Sequence, residues 1–364
     1  MELENKKDMR YEFLRSVAML TIVLVHFLGH GGINEKTDFA SLEYFFFSTM
    51  RTIGHLGVNC FVLISGFFLY KSVFKFSKVV RIVLQTLFYS ILCTLIAVFF
   101  LKDNLSIKDM VFSLFPVTSN KYWFVSVYVM MLFISPLLNM VIEKMDKKQH
   151  SKIIFGSIIL FSVLPIILFW SKGVLSNSKD IMWFATLYII ATYIRKYDIH
   201  IKNNTFFKYF SLSIIITVLL EAAIKAFANK MHVSVPPHVN IVFFDNQTFI
   251  LAASVLLFIW GRDLKMNKFC NILAKMGGFT FGVYLLHDND LLREHIWRIV
   301  NPPRFLDNLG LEILYMILVI SLIFIGGCIV EFIRQKVFNY KNLEKSFCDY
   351  VDLCINRLMT KLNF

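Results

Sequence analysis

Two residues able to do chemistry lie at the two ends of one apolar stretch of this sequence. Arg15 and His26 enclose the stretch RSVAMLTIVLVH, with ten uncharged residues between them. In an α-helix their spacing comes to three turns plus roughly 20°, so both side chains share one face, about 16 Å apart along the axis. An imidazole suits proton transfer near neutral pH, and a guanidinium binds phosphate or carboxylate groups. The pattern has two interpretations. One is a general base at one end of a helix and an anion-binding group at the other; the alternative is that Arg15 only reaches lipid phosphates at a membrane surface and His26 caps a membrane span near the interface.

The composition indicates the element that must hold these residues. The chain has 364 residues, of which 57% are hydrophobic and 17% charged, and its mean hydropathy is +0.63. Apolar runs near the roughly 20 residues that cross a bilayer recur along it. We therefore predict an all-α, polytopic membrane helix bundle, in which the backbone polar groups are satisfied inside helices.

Ten membrane-spanning helices are predicted. Their ranges are about 11–30, 53–71, 79–101, 122–142, 153–170, 181–195, 206–227, 241–260, 269–287 and 311–333. The first span contains both Arg15 and His26 and has no small-x-small cleavage site after it, so we read it as a retained helix. We expect one membrane domain over residues 1–333 and an amphipathic tail over 334–364, lying on the inner membrane surface.

The positive charge orients this bundle. The net charge is +13, but the cations are divided among short loops, so membrane topology explains the charge better than nucleic-acid binding does. With odd-numbered spans running outward, the inner groups hold 26 of the 38 Lys and Arg residues and the outer groups hold 12. We expect a multi-pass cell-membrane protein with both termini in the cytoplasm. Richness in Lys, Asn, Ile and Phe is typical of an AT-rich bacterial source.

Further polar residues fall toward the predicted outer side. They are His30, His55, Asn59, Trp123, Asp245, Asn246, Gln247, His287, Asp288 and Asn289. Ionisable residues within membrane spans usually face a cavity and serve function, whereas an interfacial aromatic such as Trp123 is more often a membrane anchor. A platform of Trp, Asn, Asp and His suits a sugar. Because the His and Asp spacing fits no metal motif, we expect no metal site. The six cysteines form no CxxC pair and indicate neither disulfides nor a metal.

Cations near the predicted inner surface have two interpretations. Lys78 and Arg81, close to the start of the third span, could hold the phosphates of a nucleotide-like ligand together with Arg15. The positive-inside rule would place the same residues there without any ligand. Glu221 and Lys225, spaced i and i+4, are expected to neutralise each other.

Four segments resemble the integral-membrane acyltransferase family 3. RYEFLRSVAMLTIVLVHF is similar to the opening span of that family, which carries Arg-x10-His, and GVNCFVLISGFFLY is similar to its second-span signature. YWFVSVYVMMLFISPLLN and FTFGVYLLHDNDLL resemble its aromatic-opened fourth span and its late Tyr-Leu-x-His element. The four matches occur in family order, from residue 11 to about residue 300.

The resemblance implies transfer of an acyl group, usually acetyl, from cytoplasmic acyl-CoA to an acceptor at or beyond the membrane. Many members O-acetylate cell-surface polysaccharides or their lipid-linked precursors. Carried over by position, Arg15 and His26 match the essential pair, and His287 the late histidine. Ser65, Gly66 and Phe67 match the second-span signature. Paired arginines and a proline precede the third span in many relatives, but this chain reads KFSKVVRIVLQTL and offers only Lys78 and Arg81.

The prediction for function is a membrane O-acyltransferase that uses acetyl-CoA (or another acyl-CoA) as a co-substrate, with no permanently bound cofactor. His26 is expected to act as general base or as transient acyl carrier. Ser65 and Asn59 are candidate oxyanion donors. The acceptor, a polysaccharide or lipid-linked glycan, is expected to contact His287, Asp288, Asn59 and Trp123. The alternatives are a transporter or flippase of lipid-linked sugars, against which no pair of broken helices is visible, and a non-catalytic sensor with the tail as output.

Overall fold

A computed structural model describes residues 8–167, 178–232, 244–337, 346–347, 349–355 and 357. These residues form helices and turns, with no strand among them. The helices are α1 (Met9–Gly31), α2 (Ile33–Lys36), α3 (Leu42–Gly54), α4 (Leu56–Leu69), α5 (Phe76–Phe99), α6 (Ile107–Ser113), α7 (Trp123–Lys144), α8 (Lys147–Ile158), α9 (Leu164–Ile167), α10 (Ile181–Lys196), α11 (Asn203–Lys230), α12 (Thr248–Arg262), α13 (Lys268–Met276), α14 (Thr280–His287), α15 (Asp290–Val300) and α16 (Leu309–Val337). The predicted all-α class is confirmed.

Seven helical segments within the described residues are long and apolar enough to cross a membrane. They are α1, α3 with α4, α5, α7, α11, α13 with α14, and α16, and the shorter α12 is also apolar. A membrane bundle is therefore supported, but the predicted count of ten spans is not confirmed. The predicted fifth and eighth spans extend partly into 168–177 and 233–243, which lie outside the described residues.

Helix α1 occupies the centre of the bundle. It packs against α3, α4, α12, α13, α14 and α16. The Asp8 side chain begins the helix by accepting a hydrogen bond from the backbone N–H of Arg10, and Gly32, at φ 60°, ends it in the left-handed region. Most of the intervening side chains are apolar and many are buried, so α1 is surrounded by protein more than by lipid.

Two registers show that the segment from α13 to α14 runs parallel to α1. At one end the Ser16 hydroxyl donates to the carbonyl oxygen of Leu273 at 2.7 Å. At the other end His26 lies 3.0 Å from His287. We call these the Arg15 end and the His26 end of the bundle. A 3₁₀ turn, Gly277–Phe279, joins the two helices between these registers.

Small residues bring α4 close to its neighbours, as is common between membrane helices. A Cβ atom on Gly57 would lie 2.5 Å from the backbone oxygen of Ala18 in α1. A Cβ on Gly66 would lie 3.0 Å from the Cβ of Ala191 in α10. Glycine at these two positions therefore fixes how near α4 can approach both helices.

Toward the C-terminus, the last long helix runs beyond the predicted membrane domain, and a second helical stretch follows in the tail. Helix α16 extends past residue 333, the predicted end of the membrane domain, to Val337. In the described part of the tail, residues 349–355 are helical, and Asp352 accepts a hydrogen bond from the backbone N–H of Ser77 at 3.0 Å. The tail therefore contacts the first turn of α5. Leu343, Leu358 and Leu362, which contribute to its predicted amphipathic pattern, lie outside the described residues.

Two smaller predictions concern buried side chains. Lys225 Nζ lies 3.2 Å from the Glu221 carboxylate, so the predicted neutralising pair forms. The described cysteines are Cys60, Cys93, Cys270, Cys328 and Cys354, and all are free thiols. The prediction that these cysteines form no disulfide is thus confirmed for the described residues.

Substitution Gly57→Ala tests the contact between α1 and α4. The added methyl group would collide with the Ala18 carbonyl, and overpacking of this kind costs about 1–3 kcal/mol. We expect a lower midpoint of thermal unfolding in detergent. Gly156→Ala in α8 is the matched control, because a Cβ there meets nothing within 4 Å. A midpoint that is unchanged in both variants would contradict this account of the packing.

Candidate active site

Two histidines from different helices form a hydrogen bond at the His26 end. His26 Nδ1 in α1 lies 3.0 Å from His287 Nε2 in α14. His287 Nδ1 lies 2.7 Å from the carbonyl oxygen of Val283, one turn earlier in the same helix. A carbonyl can only accept, so His287 Nδ1 carries the proton and, in the neutral ring, Nε2 is an acceptor. His26 Nδ1 must then donate, which leaves the lone pair of its Nε2 available as a base.

A carboxylate stands beside this histidine pair. Asp288 Oδ1 lies 3.8 Å from His26 Nδ1 and 3.4 Å from the guanidinium of Arg293. Burial raises the pKa of Asp288, but the nearby His26, His287 and Arg293 outweigh that effect and hold the pKa below its ordinary value. Asp288 is therefore ionised at neutral pH and can stabilise positive charge on His26.

His26 lines a small cavity of about 40 Å³ between α1, α4, α7 and α14. The lining residues are Met19, Ile22, His26, Val58, Phe61, Trp123, Phe124, Phe281, Tyr284 and Asp288. Met19, Ile22 and His26 follow Arg15 at helical spacings of four, three and four, so the cavity runs along the face of α1 that Arg15 shares. Its walls are mostly apolar, and its ionisable groups are concentrated at the His26 end.

Trp123 reaches the cavity because the start of α7 is fixed to the end of α14. The preceding Tyr122 donates its hydroxyl to the carbonyl oxygen of Leu285 at 2.9 Å and accepts from the Asn289 amide at 2.6 Å. Lys179 Nζ lies 5.2 Å from the centre of the Trp123 ring, within range of a cation–π interaction. The structure thus brings together four of the predicted residues: His26, His287, Asp288 and Trp123.

Arg15 lies at the opposite end of the same helix face and is held by a residue that the sequence analysis missed. Its guanidinium forms an ion pair with Glu12, whose side chain is only 6% exposed against 32% for Arg15. A Cβ on Gly277 would lie 2.4 Å from the Glu12 backbone oxygen and 2.7 Å from its carboxylate, so the 3₁₀ turn packs directly on Glu12. The sequence feature that could have indicated this ion pair is an acidic residue three positions before the arginine, in an apolar run.

The other predicted donor-binding cations lie at the start of α5, which begins shortly after α4 reaches the Arg15 end. Lys78 Nζ donates to the hydroxyl of Ser72 at 3.0 Å, and the Arg81 side chain is exposed. Neither residue lines the cavity. Their predicted role in donor binding stays a prediction.

The second-span signature has structural contacts. Ser65 Oγ donates to the carbonyl oxygen of Phe61 at 2.9 Å and accepts from the Tyr128 hydroxyl at 3.1 Å. The Arg195 guanidinium bonds the Phe67 carbonyl and lies 4.9 Å from the centre of the Phe67 ring. Ser65 and Phe67 thus hold the end of α4, and Gly66 allows α10 to approach.

Asn59 lies in a separate buried network. Its side-chain oxygen accepts from the indole N–H of Trp183 at 3.0 Å, and its amide donates to the carbonyl oxygen of Asp245 at 2.7 Å and to Ser254 at 3.2 Å. These bonds join α4 to α10 and α12. Asn59 is fully buried and does not line the cavity with His26. The structure therefore does not bring Asn59 together with the other predicted acceptor-binding residues.

One spatial cluster was not visible in the residue spacing. His26, His30 and Asp288 present possible ligand atoms that all lie within 4.8 Å of one another. His30 also stacks on the Trp297 ring, with 5.8 Å between the ring centres. In this structure His26 Nδ1 is engaged by His287. The expected absence of a metal stays a prediction.

A comparison with protein families gives a match over most of the chain. A family model described as an acyltransferase domain matches residues 10–332. No curated protein and no solved structure gives a significant match. The matched region includes α1, the cavity and the histidine pair. The chain belongs to the integral-membrane acyltransferase family 3.

Proposed function

We propose that this protein transfers an acetyl or other short acyl group from acyl-CoA to a hydroxyl of a cell-surface polysaccharide or lipid-linked glycan. The observation that carries the proposal is the histidine pair. Hydrogen bonding leaves His26 Nε2 as an unprotonated base beside an apolar cavity. A hydroxyl that attacks a thioester needs such a base, whereas a transporter of unmodified sugars does not.

The two ends of α1 suit the two ends of the donor. Acyl-CoA has a phosphate-rich head and a long thin arm that carries the thioester. Arg15, with its side chain 32% exposed, would attract the head from the cytoplasmic side, and Lys78 and Arg81 would add to that attraction. The arm would then run along the same face of α1 toward His26, over roughly 16 Å of helix. This topology agrees with the excess of cations predicted on the inner surface.

The acceptor would enter at the His26 end, where Trp123, His287 and Asp288 are gathered. The ring of Trp123 offers an apolar face to a sugar, and Asp288 offers an acceptor for hydroxyl protons. As the sugar oxygen attacks the thioester carbon, its proton passes to His26 Nε2. The imidazolium that results keeps its bond to His287 and is stabilised by the Asp288 carboxylate. The C–S bond then breaks, and the CoA thiolate takes the proton from His26.

Substitution His26→Ala tests this function directly. We expect base-labile O-acetyl groups on the surface glycan to disappear in a deletion strain and to return with the wild-type gene but not with His26→Ala. His232→Asn is the control, because His232 is exposed and its φ of 51° is one that Asn tolerates. If His26→Ala restores the acetyl groups, the assignment of His26 is wrong.

Rapid quenching distinguishes a His26 that acts as general base from a His26 that acts as transient acyl carrier. Purified protein is mixed with radioactive acetyl-CoA in the absence of an acceptor. A general base forms no covalent intermediate, so we expect no label on the protein. Label on the wild-type protein that is absent from His26→Ala would establish an acyl-imidazole instead.

Substitutions at His287 test the hydrogen bond that orients His26. Alanine removes the acceptor for His26 Nδ1, and we expect kcat to fall by roughly ten- to a hundredfold. Glutamine presents a side-chain oxygen that can accept the same proton, so His287→Gln should retain more activity than His287→Ala. Equal and undiminished kcat values in both variants would show that the pairing does not matter for catalysis.

A further inference from the structure

The buried hydroxyl of Tyr284 donates a hydrogen bond to no described residue. Tyr284 is 6% exposed, and it lines the cavity together with His26, Trp123 and Asp288. Its ring packs between Tyr122, at 6.0 Å between ring centres, and Phe124, at 5.7 Å. Packing therefore fixes the ring. The hydroxyl oxygen can only accept from the nearby backbone N–H of Phe124, so the hydroxyl proton is left without an acceptor.

Three other buried tyrosine hydroxyls among the described residues donate to an acceptor, as is usual. The hydroxyl of Tyr89 donates to Glu331, that of Tyr122 to Leu285, and that of Tyr188 to Asn139. Tyr44 and Tyr197 also lack a partner among the described residues. Neither of those two lines the cavity that contains His26. The unused donor at Tyr284 is thus distinguished by its place beside the candidate base.

The register of α14 places Tyr284 between the two ends of the site. Tyr284 precedes His287 by three residues, or about 4.5 Å of helix rise. Since α14 runs parallel to α1, this displacement is toward the Arg15 end. A donor arm that reaches His26 from the Arg15 end would therefore bring its thioester past Tyr284.

We propose that the Tyr284 hydroxyl donates a hydrogen bond to the thioester carbonyl oxygen and stabilises the oxyanion formed on it. The inference rests on the proposed acyl transfer. When the acceptor oxygen bonds to the carbonyl carbon, the C=O electron pair moves onto the carbonyl oxygen, and Tyr284 keeps its proton while donating to that oxygen. The pair returns as the C–S bond breaks, and the proton held on His26 leaves with the CoA thiolate. In an apolar cavity such a donor acts strongly on developing charge.

The two oxyanion donors suggested by the sequence are already engaged. Ser65 donates its hydroxyl proton to the Phe61 carbonyl. The Asn59 amide donates to Asp245 and Ser254. Using either residue would break a buried bond during the reaction, whereas Tyr284 has no such bond to lose.

Substitution Tyr284→Phe tests the proposal because it removes only the hydroxyl. Loss of one oxyanion donor lowers kcat by on the order of a hundredfold, and we expect that loss with an unchanged KM for acetyl-CoA. Since the hydroxyl proton has no acceptor among the described residues, the thermal midpoint should fall little. Tyr188→Phe is the control, because Tyr188 does not line the cavity. It breaks a buried bond to Asn139, so its midpoint should drop while kcat per folded protein changes little.

A second variant separates the effect of the hydroxyl on kcat from any effect of misfolding. A fluorotyrosine at position 284 keeps the hydroxyl and nearly the same shape but makes it a stronger donor, so kcat should change while the midpoint does not. An unchanged kcat in both Tyr284 variants, measured where wild type is active and His26→Ala is not, would overturn the role of Tyr284 alone. If wild-type protein transfers no acetyl group from acetyl-CoA to any glycan acceptor, the proposed function itself fails.

Discussion

The hydrogen bond between His26 and His287 is the contact on which the candidate site depends. It joins α1 to α14 inside the bundle, and His287, whose own proton is placed by the Val283 carbonyl, determines which nitrogen of His26 is protonated. Neither helix could shift along its axis by one residue, about 1.5 Å, without breaking it. Packing at the other end of α1 maintains the same alignment of the two helical segments. The tight approach of Gly277 to Glu12 fixes the same two elements at the Arg15 end. The base is thus positioned by helix packing over the whole length of α1.

At the other end of α1, the charged residue Arg15 is stabilised by an ion pair. An arginine inside a bundle is costly unless paired. Glu12 supplies that pair and is itself buried, with one carboxylate oxygen left without a hydrogen-bond partner among the described residues. Arg15 is therefore oriented by Glu12 while part of its side chain stays accessible. That combination suits a residue that must meet an anionic ligand and yet stay fixed in its absence.

The sequence predicted the features that follow from periodicity and left those that depend on tertiary contacts. The common face of Arg15 and His26 follows from helix geometry, and hydropathy alone indicates a helical membrane protein. The pairing of His26 with His287 required two spans 261 positions apart to meet, and no local pattern specifies which spans become neighbours. Asn59 illustrates the opposite case. Its residue type suggested ligand binding, but the position of Trp183 and Asp245 makes it a buried link between helices.

The hydrogen-bonded chain behind His26 ends on the carbonyl oxygen of Val283. A backbone carbonyl accepts a hydrogen bond but does not take up a proton near neutral pH. A proton received by His26 therefore has no onward path through His287. In the proposed reaction it must leave by the nitrogen at which it arrived, on the departing thiolate. That proton would leave with CoA as the acyl group passes the other way, so acyl transfer in this site would carry no net charge across the bilayer.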